Sequence, residues 1–220
     1  PLARLWMALP LLELPMARPS ADPFIPAVET RPSRWMIGNA FDYGHRFLYG
    51  ANPLRADLII LRARLAVVVL GVALGWLVYV GARSLGGPPG GLLALFLYAL
   101  CPGFVAHGAL ATTDVAASLA IVGTLLAAER FRVTASRGWA AATGAALGAA
   151  LATKHTAVIL PLALLLAWFW CRWEGAAASR RGWPILIGTA WLVLCAAYGF
   201  REPILRHAVD GAELAALVPG

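Results

Sequence analysis

Lysine is almost missing from this chain. Of its 18 basic side chains only Lys154 is a lysine, and the rest are arginines. Cysteine is scarce as well: Cys101, Cys171 and Cys195 lie inside or at the edge of apolar runs. An odd number without metal-ligand spacing excludes a disulfide framework and a zinc site, and leaves three small buried hydrophobes. Acid is thinly spread, with 11 Asp and Glu in 220 residues. Between Asp57 and Glu129 the one acidic residue is Asp114. No stretch alternates apolar and polar with a period of two, which excludes a β-barrel. No segment repeats, which argues against a transporter or flippase for a lipid or small anion built from internal repeats. A non-catalytic scaffold with the same helices is a further competing class.

What the chain has instead is apolar length. It is 60% hydrophobic with a mean hydropathy of +0.73. Charge-free runs recur at 65–82, 84–106, 115–128, 138–153, 156–171 and 182–200. A membrane span needs about 20 such residues, and roughly 17 to 25 are tolerated. The pattern predicts an all-α, multi-pass transmembrane bundle, because a helix satisfies its own backbone in lipid. The +7 charge then bears on topology and anionic head groups rather than on nucleic acid.

Taken in order, residues 1–57 read as an outer-face loop with interfacial helices, 58–200 as the bundle, and 201–220 as the start of another outer loop. Pro10, Pro15, Arg4 and Glu13 break the first 17 residues, too often for a span. Residues 35–49 mix Trp35, Phe41 and Phe47 with Asp42, His45 and Arg46, as an amphipathic interfacial helix does. Asp42 and His45 stand three apart, a spacing that suits a solvated face better than a metal. Spans are expected at about 62–82, 90–106, 114–131 and 183–200, with a short hairpin, 139–153 and 156–172, between the last two. Each hairpin arm reaches about 24 Å against a core of about 30 Å, so the tip at Lys154 stops below the surface.

The short loops set the orientation. Arg83, Arg130, Arg132, Arg137, Arg172, Arg180 and Arg181 fall on one side by alternation, and five tryptophans from Trp139 to Trp183 cluster there. That side reads as cytoplasmic. His107, Asp114 and Lys154 then face outward. Eight arginines between Arg4 and Arg64 also fall outside, where long loops obey the rule poorly and guanidinium forks suit phosphate.

Asp114 opens an apolar helix at the boundary, and an acid at membrane depth is a functional candidate. The alternative is a helix start, in which Thr112 or Thr113 caps and Asp114 complements the macrodipole. Lys154 reads either as a cation for a phosphate or a partner of Asp114, or as a snorkelling side chain. His107 reads as a further site member or as an interfacial polar group.

Several pieces in order carry a resemblance: PLARLWMALPLL at the start, GNAFDYGHRFLYG, the span opened by LRARL, LYALCPGFVAHGALATTD, and GAALGAALATKHTAVILP. Together the chain resembles the family 39 glycosyltransferases of the GT-C fold, which include the protein O-mannosyltransferases and the aminoarabinose transferase of lipid A. The resemblance implies transfer of a sugar from a polyprenyl-phosphate carrier to a protein or lipid acceptor at the outer face of a bacterial cytoplasmic membrane. It implies that Asp114 matches the family's second acidic residue and orients the acceptor or a cation. Arg64, at the head of its span, and Lys154 are then expected at the carrier phosphate, with Arg62 and His107 beside them. No cofactor is required by the match, although a divalent cation is compatible with it. The family's usual base is an Asp shortly before a His-Pro-Pro-Leu segment, and only Pro1-Leu2 of that segment are present. The chain is therefore expected to be an internal stretch of a longer protein.

The topology makes a direct prediction. An impermeant thiol reagent applied to intact cells should label Leu110→Cys and leave Thr134→Cys unlabelled; the reverse pattern would overturn the orientation.

Overall fold

The computed structural model describes residues 2–17, 44–173 and 182–199. Among these there is helix and no strand. Most of the expected 35–49 helix, the loop at 174–181 and the tail at 201–220 lie outside the described residues, as do Asp42, Arg180 and Arg181.

The first helix, α1 (Leu2–Ala8), ends in a 3₁₀ turn, Leu9–Leu11, where Pro10 occupies a position that needs no N–H donor. It lies along the bundle and is tied there. The Trp6 indole donates to the Ala66 carbonyl at 2.8 Å, and Arg62 Nη1 donates to the Pro10 carbonyl at 3.1 Å. Farther on, Arg46–Ala51 forms a π-helical turn. The buried Asn52 side chain then accepts from the Ala17 N–H and donates to the Ala17 and Phe47 carbonyls, each at 2.9 Å. An Asn buried with three of its hydrogen bonds made fixes where the N-terminal segment meets the bundle.

Helix α2 (Ala56–Leu100) is continuous by hydrogen bonding but not in direction. Gly86 (φ −118°, ψ 17°) and Gly87 (φ 66°, ψ −170°) leave helical geometry, and the latter conformation is open essentially to glycine alone. Contacts across this break pair residues on either side of it. The Tyr98 hydroxyl donates to the Gly71 carbonyl at 2.8 Å. A Cβ on Gly75 would meet the Tyr98 ring at 3.0 Å, and one on Gly91 would meet the Tyr79 ring at 2.9 Å. These are the contacts of an antiparallel hairpin, with arms before and after Gly86-Gly87. The stretch Pro53–Leu100 is the one described helix long and apolar enough to cross a membrane, with a mean hydropathy of 2.4 over an 18-residue window. Its contacts divide that length into the two arms that the Gly86–Gly91 turn predicts.

Cys101 is extended (φ −68°, ψ 116°), as the residue before a proline prefers. It separates α2 from α3 (Pro102–Gly108). Then come α4 (Asp114–Thr134), α5 (Arg137–Thr153), α6 (Ile159–Trp173) and α7 (Trp183–Ala197). Lys154 and a 3₁₀ turn, His155–Val158, join α5 to α6. Val67 and Leu74 on α2 pack with Val115 on α4. Phe131, Ala140, Leu147, Leu186 and Ala190 make a second core among α4, α5 and α7. One end of the bundle gathers the Gly86-Gly87 turn, Arg83 and the α4–α5 connection. The other end gathers His107, Asp114 and Lys154.

The tightest packing joins α5 to α7. A Cβ on Gly144 would stand 2.2 Å from the Leu186 carbonyl oxygen, and one on Gly148 would stand 2.4 Å from that of Ala190. Two glycines one turn apart thus let the backbones touch, as small residues do between membrane helices. Backbone cannot yield as a side-chain tip can, so Gly148→Val should destabilise by at least about 1–3 kcal/mol. Gly188→Ala, which meets nothing within 4 Å, is the control. Melting of the detergent-solubilised protein reads the difference; equal melting points would contradict the close packing.

Candidate functional site

Asp114 is the first residue of α4. The turn that delivers it is held by the Thr112 N–H on the Leu110 carbonyl at 2.9 Å and the Ala117 N–H on the Thr113 carbonyl at 2.9 Å. The expected threonine cap does not form: Thr113 occupies the cap position without a side-chain hydrogen bond. The Asp114 carboxylate is directed sideways instead. Its Oδ1 accepts from Lys154 Nζ at 2.6 Å, and its Oδ2 lies 3.4 Å from His107 Nδ1. Asp114 keeps the first-turn position that suits the macrodipole, but its two oxygens are directed at side chains.

Lys154 reaches Asp114 because the chain is extended there (φ −148°, ψ 136°). Its N–H still closes α5 on the Ala150 carbonyl, and its own carbonyl accepts from the Ala157 N–H, both at 3.1 Å. Ala150, Ala152 and Ala157 around it are fully buried. The base of the lysine is thus rigid while its side chain is 42% exposed; the Asp114 side chain is 37% exposed. An ammonium carries three donors, so the contact with Asp114 leaves others for a ligand.

The remaining arginines stand apart from the pair. Arg62 is occupied with the Pro10 carbonyl. Arg64 is exposed, and no ion pair among the described residues joins it to Asp114. Residues 62, 66 and 70 share one helix face at spacings of four. Ala66 and Leu70 meet α1 or the groove described next, which puts Arg62 on that face and Arg64 to its side. No three His, Cys, Asp or Glu side chains among the described residues gather as metal ligands.

Two cavities flank the head of α4. The larger, about 480 Å³, is an apolar groove walled by Leu5 and Trp6 of α1, Leu70 and Leu77 of α2, Leu119 and Gly123 of α4, and Ala146 and Thr153 of α5. Thr153 in its lining is the residue before Lys154, which is not itself part of the lining. The smaller, about 230 Å³, lies under α3 and is lined by Phe104, His107, Asp114 and Ser118. No lining residue is shared, so the first turns of α4 separate the two.

The groove was not foreseen, because α1 reads as an interfacial segment when its prolines and charges are taken alone. The small residues on α4 and α5 are the signal that was present: Ala116, Ala120, Gly123, Ala146 and Ala149 all face it. In sequence they are indistinguishable from residues that let helices touch.

The family model for dolichyl-phosphate-mannose-protein mannosyltransferases matches residues 57–199. The chain belongs to that family. The matched region runs from the start of α2 to the end of α7 and contains Asp114, Lys154, His107, Arg62 and Arg64, but not α1. Membership makes the chain part of a membrane glycosyltransferase of the GT-C type. No curated protein and no solved structure matches it.

With both side chains more than a third exposed, the Asp114–Lys154 pair should add little to stability, about 1 kcal/mol or less. A double-mutant cycle of Asp114→Asn and Lys154→Met, followed by melting in detergent, should give a coupling in that range. A coupling of several kcal/mol would make the pair a structural strut.

Proposed function

We propose that this chain forms the carrier-binding core of a multi-pass membrane transferase. The enzyme moves a mannose-like or aminoarabinose-like sugar from a polyprenyl phosphate to a protein or lipid acceptor. The observation that carries this reading is the Lys154–Asp114 pair close to an apolar groove whose lining reaches Thr153, the residue before Lys154. A polyprenyl-phosphate sugar is one charged group on a long hydrocarbon, and a hydrocarbon-walled groove near an ammonium suits both parts.

In the reaction the acceptor oxygen attacks the anomeric carbon and the lipid phosphate leaves. The carrier phosphate is a singly charged diester before transfer and gains negative charge as the bond to the sugar breaks. A cation fixed in place is worth more to that developing charge than to the ground state, which is what lowers the barrier. Lys154 supplies it, with Arg62, on the α2 face that also carries Leu70 of the groove, and Arg64 to its side as further cations. Asp114 holds the ammonium in place through its Oδ1 and orients the acceptor or a cation. Exposed apolar side chains on the outside of the bundle support placement in lipid. Leu92, Leu93, Phe96, Leu97 and Leu100 are each about 60% exposed, and Trp191 and Ile187 are similarly open. Water would not tolerate that surface on a monomer. The arginine distribution supports an outward-facing site in a bacterial cytoplasmic membrane.

A charge-assisted hydrogen bond contributes about 1.5–3 kcal/mol, which is about ten- to a hundredfold in rate. In the complete enzyme, Lys154→Ala should therefore lower kcat/KM for undecaprenyl-phosphate mannose or aminoarabinose by about that factor. Lys154→Arg should recover part of it. Unchanged turnover in Lys154→Ala would remove the phosphate assignment.

A further inference from the structure

Four helices stand around the apolar groove, and each touches the next: α1 meets α2, α2 meets α4, α4 meets α5, and α5 meets α1. A long hydrocarbon reaches the space between them by parting one of these seams or by sliding in beneath α1. The seams are not equally held.

The seam between α1 and α2 is polar and in register. Trp6 donates to the Ala66 carbonyl and Arg62 to the Pro10 carbonyl. The pairs 6/66 and 10/62 advance by one turn in opposite directions, so the two helices run antiparallel. The rungs continue beyond α1. Arg55 reaches the Pro15 carbonyl, and the Asn52 side chain exchanges two hydrogen bonds with the Ala17 backbone. Met7 adds an apolar contact with the Val67, Leu74 and Val115 core, which also closes the seam between α2 and α4. Helices α4 and α5 share the core of Phe131, Ala140 and Leu147, and α7 holds α5 from its other face.

The seam between α1 and α5 has none of this. Among the described residues no hydrogen bond or ion pair joins the two helices, and the core around α5 includes no residue of α1. Leu2, Leu5 and Leu9, on one face of α1, look across the groove toward Ala146, Ala149 and Thr153. Leu5 and Leu9 are each 53% exposed, so this face is not packed down on α5.

Lipid makes the difference matter. An apolar seam loses little when it parts in hydrocarbon, because lipid tails replace the contact. A polar rung broken there leaves donor and acceptor unsatisfied. Helix α1 therefore keeps its rungs on α2 and swings away from α5. We infer that the seam between α1 and α5 is the portal through which the carrier's hydrocarbon enters the groove from the bilayer. The inference rests on the carrier reading of the groove and adds the route by which that ligand arrives.

The experiment uses the complete enzyme with Cys101, Cys171 and Cys195 replaced by alanine, and undecaprenyl phosphate as the probe. Leu2→Cys with Thr153→Cys, joined by a short bifunctional thiosulfonate, seals the portal. Arg55→Cys with Pro15→Cys, joined in the same way, fastens the strap to α2 at a rung outside the groove. The portal link made before lipid is added should slow uptake by at least about tenfold. Made afterwards, it should slow release by a similar factor, and reduction should reverse both. A linker that merely filled the groove would expel bound lipid instead of retaining it, and that result would overturn the portal. The link to α2 should leave both rates within about twofold of the unlinked protein. Uptake and release unchanged by the portal link would mean that the lipid slides in beneath α1, and would also overturn the inference. Equal slowing by the link to α2 would do the same, since α1 would then have to leave α2. Failure of the carrier reading looks different: the unlinked protein would retain no undecaprenyl phosphate, and the portal would fall with it.

Discussion

The site depends on one ion pair between residues forty apart in sequence. Asp114 begins a helix and Lys154 ends the next one, so their contact at 2.6 Å requires α4 and α5 to run antiparallel and level at this end. The close approach of α5 to α7 through Gly144 and Gly148 holds the same helix from its other face. In water such a pair is nearly neutral for stability. At a membrane boundary each charge would be costly alone, so each makes the other's presence there affordable. The pair thereby fixes the lysine side chain at the end of α5, one residue beyond Thr153 of the apolar groove.

Much of this arrangement was legible in the residues. A lone acid in an apolar stretch, a single lysine at the tip of a hairpin too short to cross, and the absence of any other acid between Asp57 and Glu129 together lead to their pairing. The Gly86–Gly91 turn similarly marks a reversal that helix length alone would hide, since hydrogen bonding runs through the break and makes one helix of two arms. What sequence could not supply was lateral position. Whether Trp6 packs on lipid or on Ala66, and whether Gly123 meets a helix or a cavity, depends on how helices lie side by side, and an apolar pattern looks the same in each case. Helix register on α2 was legible in the same limited way: it puts Arg62 on the face of Ala66 and Leu70 and Arg64 to its side.

The first turns of α4 separate the two cavities, because residues 114, 115 and 118 face one side while 116, 119 and 120 face the other. Asp114 lines the α3 side, where its two oxygens meet Lys154 and His107.

The central claim is that the groove near Lys154 holds the carrier, and a structure of the complete protein with undecaprenyl phosphate tests it most directly. The account predicts phosphate oxygens at about 3 Å from Lys154 Nζ, with the hydrocarbon lying between α1, α4 and α5. Phosphate bound away from Lys154, or a chain lying on another face of the bundle, would contradict it.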